Sequence, residues 1–198
     1  MGTTASTAFP LQLELVHYPH PVLRKRATDV TTFTDDLRQF CDRMFAAMDE
    51  HRGIGLAAPQ VGVSRRIFVT DHSRRRDEPG VVPQRRVWIN PRIETPLGTT
   101  VYEEGCLSFP NIYAKVERHS QFTFHWQDEF GRAHSQRFDV DSGDFLGIVV
   151  QHELDHLDGH VFVEHLTVAQ LGLIRKRLKE LETAYKAATG RDGAVLRR

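Results

Sequence analysis

The chain has 198 residues, of which 40% are hydrophobic and 26% are charged, and its formal net charge is +0. This composition is that of an ordinary globular protein, and it gives no reason to expect a general affinity for nucleic acid or anionic membranes. No apolar run is long enough to span a bilayer. Two cysteines, Cys41 and Cys106, cannot form a disulfide framework. Because the N-terminus also lacks a secretory signal, we expect a cytoplasmic protein.

We expect residues 1–12 to form a disordered leader, residues 13–189 a single catalytic domain, and residues 190–198 a frayed tail. The first clear element is a helix over residues 35–52, in which apolar side chains recur every three or four positions. Thr34 can cap the start of this helix and Gly53 can end it. Cys41 lies on the apolar stripe, so we expect it in the core.

Residues 66–138 contain segments rich in β-branched and aromatic residues, such as RIFVTD, RVWINPRIE and SQFTFHWQD, which predict strands. A second helix should begin within residues 141–144 and end at Gly159, and its apolar sequence indicates that it is buried. A third helix should begin at Thr167, which can form a capping box with Gln170. These elements predict an α+β fold. Mixed or antiparallel sheets would pack around the buried central helix, beside N-terminal and C-terminal helices.

The second predicted helix contains the pattern H-E-x-x-H, with its histidines at His152 and His156. Side chains four residues apart lie on one helix face, so the two imidazoles can bind one metal ion. Glu153 can reach a metal-bound water without being a ligand. Burying these groups without a partner would be costly, which favours a metal site over a surface helix. Asp155 either orients a histidine or faces solvent, and His160 lies beyond the helix end and is not expected to ligate.

A third ligand must come from elsewhere in the chain. One protease class extends the pattern to a third histidine, but Phe162 occupies that position here. Another class uses a glutamate from a following helix, and Glu180 and Glu182 are in range. Both lie on a face predicted to be charged and solvated, so ordinary surface ion pairs are favoured. Cys106, in EEGCLSFP, remains: it is either a thiolate in a tight turn that reaches the metal or a small buried residue.

The segment over residues 53–62, GIGLAAPQVG, contains small residues that let a substrate backbone approach closely. Gln60 in this segment can donate a side-chain N–H to an oxyanion. The segment is not a phosphate-binding loop, because the G-K-[ST] ending is absent. Taken alone, it could equally be a helix end followed by a loop.

These three stretches, in this order, resemble the motifs of the peptide deformylase family. The family is marked by G-x-G-Φ-A-A-x-Q, E-G-C-x-S and H-E-Φ-D-H, where Φ is apolar, and residues 53–60, 104–108 and 152–156 match them in full. The resemblance extends over about residues 13 to 182 and includes LVHYPHPVLRKRA near the N-terminus. Members of this family remove the formyl group from N-formylmethionine at the start of new polypeptides.

The resemblance implies one divalent metal ion per chain, held by Cys106, His152 and His156. Ferrous iron is the metal it implies for the cell, with Zn²⁺, Ni²⁺ or Co²⁺ as alternatives in purified protein. The reaction it implies is attack of a metal-bound hydroxide on the formyl carbon, with Glu153 as general base. The developing oxyanion would be stabilised by the metal, the Gln60 side chain and the backbone N–H of Leu107.

The resemblance also implies that the substrate, an N-formylmethionyl nascent polypeptide, lies as an added strand beside Ile54, Gly55 and Gly105. The methionine side chain would enter an apolar pocket, whose walls are Ile54, Phe145, Ile148, Val149 and the His152 ring. Tyr113 stands near a place where many bacterial relatives carry a basic residue that contacts the peptide. We therefore expect a different affinity for the residues that follow the methionine.

The third helix resembles the C-terminal helix that lets such enzymes dock near the ribosomal exit tunnel, and no nucleic-acid specificity or membrane partner is implied. Two other interpretations stay open. One is a zinc endopeptidase that uses His152, His156 and a glutamate. The other is a non-catalytic metal-binding or peptide-binding module, although the intact Glu153 and Gln60 argue against it.

Overall fold

The computed structural model of the protein describes residues 9–73 and 82–196, and all statements about structure refer to these residues. The described helices are α1 (Asp35–Glu50), α2 (Leu146–Asp158) and α3 (Val168–Thr189). The described strands are β1 (Gly55–Ala57), β2 (Ile67–Asp71), β3 (Arg85–Cys106), β4 (Phe109–Gln127) and β5 (Ala133–Asp139). Short 3-10 turns lie at Pro21–Arg24, Ala58–Val61, Val140–Ser142 and Phe162–His165.

The five strands form one antiparallel sheet in the order β1-β2-β3-β4-β5. The α+β prediction is therefore confirmed, with the sheet antiparallel rather than mixed. The long strands β3 and β4 form a hairpin that closes at the pair Cys106 and Phe109, directly after a register shift at Gly105. Because β1 stands at the end of the strand order, only one of its edges is paired with a described strand.

Helix α2 lies in the centre of the fold, as predicted. Its side chains are buried along almost its whole length, and Val149, Val150 and Leu157 pack against the aromatic face of the sheet. The helix begins at Leu146, later than the predicted 141–144, because the turn at Val140–Ser142 ends in Gly143 with a φ of 101°. This left-handed residue breaks the helical path, so α2 can start only after it.

Helix α1 ends at Glu50, whereas its apolar pattern predicted an end at residue 52. Arg52 adopts a left-handed conformation with a φ of 56°. Its N–H bonds to the Asp49 carbonyl at 3.1 Å, and the Gly53 N–H bonds to the Met48 carbonyl at 2.8 Å. This pair of bonds is the Schellman motif, in which glycine usually occupies the left-handed position. Here an arginine occupies it.

The predicted helix caps are present. Thr34 accepts the Leu37 N–H at 3.4 Å at the start of α1. At the start of α3, Thr167 Oγ1 accepts the Gln170 N–H at 3.3 Å, and Gln170 Oε1 accepts the Thr167 N–H at 2.9 Å. The reciprocal bonds of this capping box satisfy backbone donors that a helix start leaves free.

Both ends of the described chain contact the folded body. Phe9, within the predicted leader, stacks on Phe40 at a ring-centroid distance of 4.4 Å. In the predicted tail, the Ala194 N–H bonds to the Pro19 carbonyl at 2.8 Å, and Leu196 packs on the cluster beneath α3. The proposed domain limits of 13 and 189 stay predictions. Across the described residues, no helix combines the length and the apolar character that crossing a membrane requires.

Candidate metal centre

Cys106, His152 and His156 meet at one point inside the fold. Their potential ligand atoms all lie within 4.8 Å of one another, and Cys106 Sγ is 3.2 Å from His156 Nε2. The helical repeat of α2 places the two histidine rings side by side, with centroids 5.2 Å apart. The thiol comes from the end of β3, where the register shift turns the chain toward α2. Three residues on two separate elements thus form one cluster.

The chemistry of this cluster fits a divalent metal ion. His152 is bound through Nδ1 to Glu104, so its Nε2 is free to face the thiol, as the Nε2 of His156 does. Burial, followed by the charge of His152, lowers the pKa of His156 to about 3, which keeps its imidazole neutral. One soft sulfur and two imidazole nitrogens, with a cavity on the open side, match the ligand set of a catalytic transition-metal site.

A buried ionic network fixes the orientation of His152. Glu104 accepts a bond from His152 Nδ1 at 2.8 Å and two bonds from the Arg118 guanidinium at 2.7 and 2.9 Å. Arg118 also donates to Asp155 at 2.6 Å, and Asp155 lies 2.8 Å from His165 Nε2. Burial raises the pKa of Glu104, but Arg118 and His152 outweigh it and lower that pKa to about 2. The carboxylate therefore stays charged beneath the metal ligand.

Glu153 is a buried acid beside the cluster. Its side-chain atom Oε2 is enclosed without a hydrogen-bond partner among the described residues. Burial raises its pKa to about 7, against the opposing charge of His152. A β-carbon added at Gly55 would lie 2.4 Å from Glu153 Oε1, so the carboxylate lies directly against the backbone of β1. An acid with this pKa can take up and release a proton near neutral pH.

Gln60 is held with its amide toward the cluster. Its Oε1 accepts the Ala57 N–H at 2.8 Å, which fixes the orientation of the amide. Its Nε2 lies 3.5 Å from Cys106 Sγ and 3.4 Å from Ser108 Oγ. The donor group of Gln60 therefore faces the thiol of the cluster.

A cavity of about 670 Å³ opens beside the cluster. Most of the residues predicted for the site line it, including Ile54, Gly55, Gln60, Gly105, Cys106, Leu107, Phe145, Val149, His152 and Glu153. Ile148, which was predicted to form part of the pocket wall, is not among the lining residues. Its residue surface is 3% exposed, and it packs into the interior. Tyr102 lines the cavity instead, with its ring 5.5 Å from that of Phe145.

Comparisons with known proteins agree with this arrangement. The family model described as polypeptide deformylase matches residues 12–171. A peptide deformylase of Chromobacterium violaceum is 45% identical over 170 residues, which cover 86% of this chain and 96% of the relative. The chain belongs to the polypeptide deformylase family.

Solved deformylase structures share the fold. A plant peptide deformylase of type 1B has a TM-score of 0.86 at 34% identity, covering 95% of this chain and 98% of its own. A Plasmodium falciparum peptide deformylase has a TM-score of 0.80 at 37% identity, covering 89% and 99%. The similarity therefore extends over nearly the whole of each chain.

In this deformylase-family chain, the other residues that were considered as metal ligands lie outside the cluster. Glu182 accepts the Tyr18 hydroxyl at 2.9 Å, and Glu180 pairs with Arg177 at 3.0 Å. His160 is exposed, with its Nδ1 3.3 Å from Glu164. All three thus have partners outside the cluster. Glu180 forms the surface ion pair that was predicted, whereas Glu182 is half-buried and its bond to Tyr18 was not predicted.

Sequence reasoning missed the network around Arg118. Asp155 was expected to orient a histidine or to face solvent, yet it pairs with Arg118 and His165. Glu104 belongs to a recognised motif, but nothing in that motif indicates that its carboxylate bonds to His152. Arg118 carries no local signal at all, because its place beside Glu104 depends on the pairing of β3 with β4. Only the register of the hairpin could have revealed it.

Proposed function

We propose that this chain is a metal-dependent hydrolase that removes the N-terminal formyl group from N-formylmethionyl polypeptides and releases formate. The observation that carries this proposal is the convergence of Cys106, His152 and His156 beside the buried acid Glu153. All four lie next to the open edge of a strand on which an extended peptide can be placed. Family membership and the arrangement of the site support the same reaction.

Cys106, His152 and His156 would hold the metal ion, and the network through Glu104 and Arg118 would keep His152 in place. When bound, the ion supplies a Lewis acid that lowers the pKa of water at its open position and polarises the formyl oxygen. The thiolate and imidazole ligands suit Fe²⁺, which we propose for the cell, and also Zn²⁺, Ni²⁺ or Co²⁺.

Glu153 carries the proton in this mechanism. Its raised pKa lets it accept a proton from the attacking water and deliver it to the amine that leaves. Formate and a free α-amino terminus are then the products. Because Gly55 lies against its carboxylate, the backbone of β1 restricts the positions that the base can adopt.

Gln60 and Leu107 bind the oxyanion that develops on the formyl oxygen. The Gln60 amide is fixed by the Ala57 N–H, so it needs little reorganisation during the reaction. Leu107 directly follows Cys106 and lines the same cavity, which supports the proposed role of its backbone N–H. Losing one such donor typically reduces the rate about a hundredfold or more.

The substrate lies as an added strand against the open edge of β1, beside Ile54, Gly55 and Gly105. The methionine side chain enters the apolar end of the cavity, formed by Ile54, Phe145, Val149 and Tyr102. A strand recognised through its backbone accepts many sequences, whereas the pocket selects the methionine.

The nascent chain is the partner that this function requires, and the cytoplasm is the compartment that we propose. Helix α3 offers a surface for transient docking near the ribosomal exit. Val168 and Leu173 are 88% and 85% exposed, beside the basic residues Arg175 and Lys176. Cosedimentation of the protein with ribosomes, compared with an α3 variant lacking these two apolar side chains, tests this docking.

Formate release from a formyl-methionyl tripeptide by the Fe²⁺-loaded protein tests the proposed reaction. We expect hydrolysis by the native chain and a loss of at least a hundredfold in Glu153→Ala. No formate above that of the Glu153→Ala control would rule out the reaction. Cys106→Ser distinguishes the deformylase from the endopeptidase alternative. A deformylase should lose activity and bind its metal differently, whereas a protease with a glutamate ligand would retain both its activity and its metal.

A further inference from the structure

Three basic side chains, one arginine and two histidines, border the cavity. His17, His51 and Arg52 all line it, and all three are exposed. We call these three residues the basic rim. They lie on two segments, the N-terminal stretch and the end of α1, so the rim is formed by the fold and not by a local run of charge. It borders the same cavity that holds the substrate under the proposed function.

The basic rim has no acidic partner among the residues that the structure describes. Most other arginines near the core are paired: Arg66 with Asp158 at 2.6 Å, Arg85 with Asp49 at 2.5 Å and Arg118 with Glu104 at 2.7 Å. Within residues 9–73 and 82–196, no ion pair joins the rim to a carboxylate, and Asp49, three residues before Arg52, pairs with Arg85. Among these residues Arg52 is therefore a cation without an acidic partner beside the cleft.

The backbone at Arg52 gives a second, independent observation. Arg52 occupies the left-handed position of the Schellman motif that ends α1, with a φ of 56°. Glycine is the usual residue there, because a side chain in this conformation is strained. Strained residues persist at functional sites, where the surrounding structure holds them in place. Four described non-glycine residues have a positive φ, and two of them, Arg52 and Asn111, line the cavity.

The direction of the bound peptide relates the rim to the substrate. Under the proposed function the formyl end lies beside Glu153, and a peptide strand antiparallel to β1 would run from there past Ile54 and Gly53 toward Arg52. Gly53 itself is enclosed, since an added β-carbon would lie 2.9 Å from Leu107 Cδ1. An extended peptide rises by about 3.3 Å per residue, so the residues that follow the methionine would lie beside the rim.

We propose that the basic rim selects nascent chains with an acidic side chain among the second to fourth residues. This inference rests on the proposed function and names a substrate preference within it. Glu103, an exposed carboxylate on the β3 wall of the cavity, repels acidic side chains that point toward it. Side chains of a strand alternate in direction, so only some peptide residues would face the end of α1, where Arg52 lies. The preference for an acidic side chain should appear at those positions.

The test uses formyl-methionyl tetrapeptides with Asp, Asn or Lys placed in turn at the second, third or fourth position. The measurement is kcat/KM for formate release by the metal-loaded full chain. We expect Asp to be preferred over Lys by about twofold to fivefold at one position, as for exposed charge pairs. The ratio should fall as NaCl is raised, because salt screens exposed charges.

Three variants sharpen the test. Arg52→Glu should reverse the ratio in favour of Lys, and Arg52→Gly should remove it while raising the melting temperature through relief of strain. Arg132→Glu, in the exposed β4–β5 turn, makes the same change in net charge far from the cavity and should keep the native ratio.

The possible outcomes separate the two proposals. If no tetrapeptide is deformylated, the proposed function fails. If all are deformylated at equal rates, or if Lys is preferred by the native chain, the basic rim does not select acidic chains. An Arg132→Glu variant that reverses the ratio as Arg52→Glu does would also overturn the inference, since the effect would then come from overall charge.

Discussion

Gly55 lies so close to the Glu153 carboxylate that no side chain fits between them. An added β-carbon would stand 2.4 Å from Oε1 and 2.9 Å from Cδ. Because Glu153 is buried, it has little room to move away without displacing its neighbours in the cluster. The small residue at this position thus sets the position of the Glu153 carboxylate, the proposed general base.

We predict that Gly55→Ala lowers kcat at least tenfold while the protein stays folded. The added methyl group displaces the carboxylate that must exchange a proton, and misplacement by about 1 Å can cost a hundredfold. Formate release and thermal unfolding measure the two effects. The matched control is Gly172→Ala in α3, where nothing lies within 4 Å of the added carbon. It should keep full activity and gain about 1 kcal/mol of stability. Native kcat in Gly55→Ala would contradict this prediction.

At the residue scale, motifs predicted the side chains that form the cluster but not those that hold them. The spacing of His152 and His156 indicates a shared metal ion, whereas Cys106 became a candidate ligand only through the resemblance to the family motifs. Arg118 and Asp155 act through contacts between different elements, and such contacts leave no periodic signal in a single sequence. Tyr102 lines the cavity and Ile148 does not, because of the way α2 packs against β3. The sequence gives no sign of that packing.

At the scale of elements, one arginine joins three of them. Arg118 on β4 bonds to Glu104 on β3 and to Asp155 on α2. Its side chain is 4% exposed, as is that of Glu104. Removing the cation would leave buried carboxylates without compensation, and this is the costly way to break a buried ion pair.

We predict that Arg118→Met destabilises the metal-free protein by about 3–5 kcal/mol and weakens metal binding about tenfold to a hundredfold. Urea unfolding and competition with a chelating dye measure the two quantities. Arg137→Met is the matched control, because Arg137 is exposed on β5 and donates to the Gln121 side chain at 3.1 Å. Unchanged metal affinity in Arg118→Met would show that the network does not position His152.

A second ion pair joins a turn that precedes α1 to a turn that follows α2. Arg24 in the turn Pro21–Arg24 donates to Glu164 in the turn Phe162–His165 at 2.5 Å. Burial alone would raise the pKa of Glu164, but the bond to Arg24 and its charge outweigh burial and hold that pKa below its ordinary value of 4.5. The charged form of Glu164 therefore stabilises the folded state.

We predict that the stability lost in Glu164→Gln depends on pH in a defined direction. A lowered folded-state pKa gives stability that is fully present above the ordinary value of 4.5 and is lost as the pH falls toward the folded-state pKa. The difference in unfolding free energy between native and variant protein should thus be constant near neutrality and shrink below pH 4.5. Urea unfolding across pH 3 to 7 measures it. A difference that grows on acidification would have the wrong sign.

At the scale of the whole molecule, the metal centre joins the sheet to the central helix. Cys106 ends β3, whereas both histidines belong to α2. The apolar clusters around α1, α2 and α3 are formed by other residues, except that Cys106 packs against the cluster beneath α3. The fold therefore has a core that does not depend on the ion. Metal should therefore add stability to a protein that is already folded.

We predict that removal of the metal lowers the melting temperature without loss of secondary structure. A ligand that binds only the folded state stabilises it by about 2.7 kcal/mol when present at a hundred times its dissociation constant. Calorimetry and circular dichroism before and after chelation measure the effect. Cys106→Ser should show a smaller change on chelation, and loss of helix signal in the metal-free protein would contradict the prediction.

The overall architecture was predictable in part. The apolar sequence of α2 indicated a buried central helix, and the β-rich middle of the chain indicated a sheet around it. The strand order and the unusual length of the β3–β4 hairpin were not predictable, because both depend on pairing between distant residues. The short strand β1 was missed as well, since three residues are too few for any periodic pattern.

The length of β1 has a consequence for turnover. Three residues expose only a few backbone groups along the open edge, and each hydrogen bond there contributes about 0.5–1.5 kcal/mol. In the proposed binding mode, the backbone of the deformylated chain would thus be held weakly, so the product could dissociate quickly even from a long polypeptide. A longer edge would bind every nascent chain more tightly and would make product release, rather than bond cleavage, the slow step.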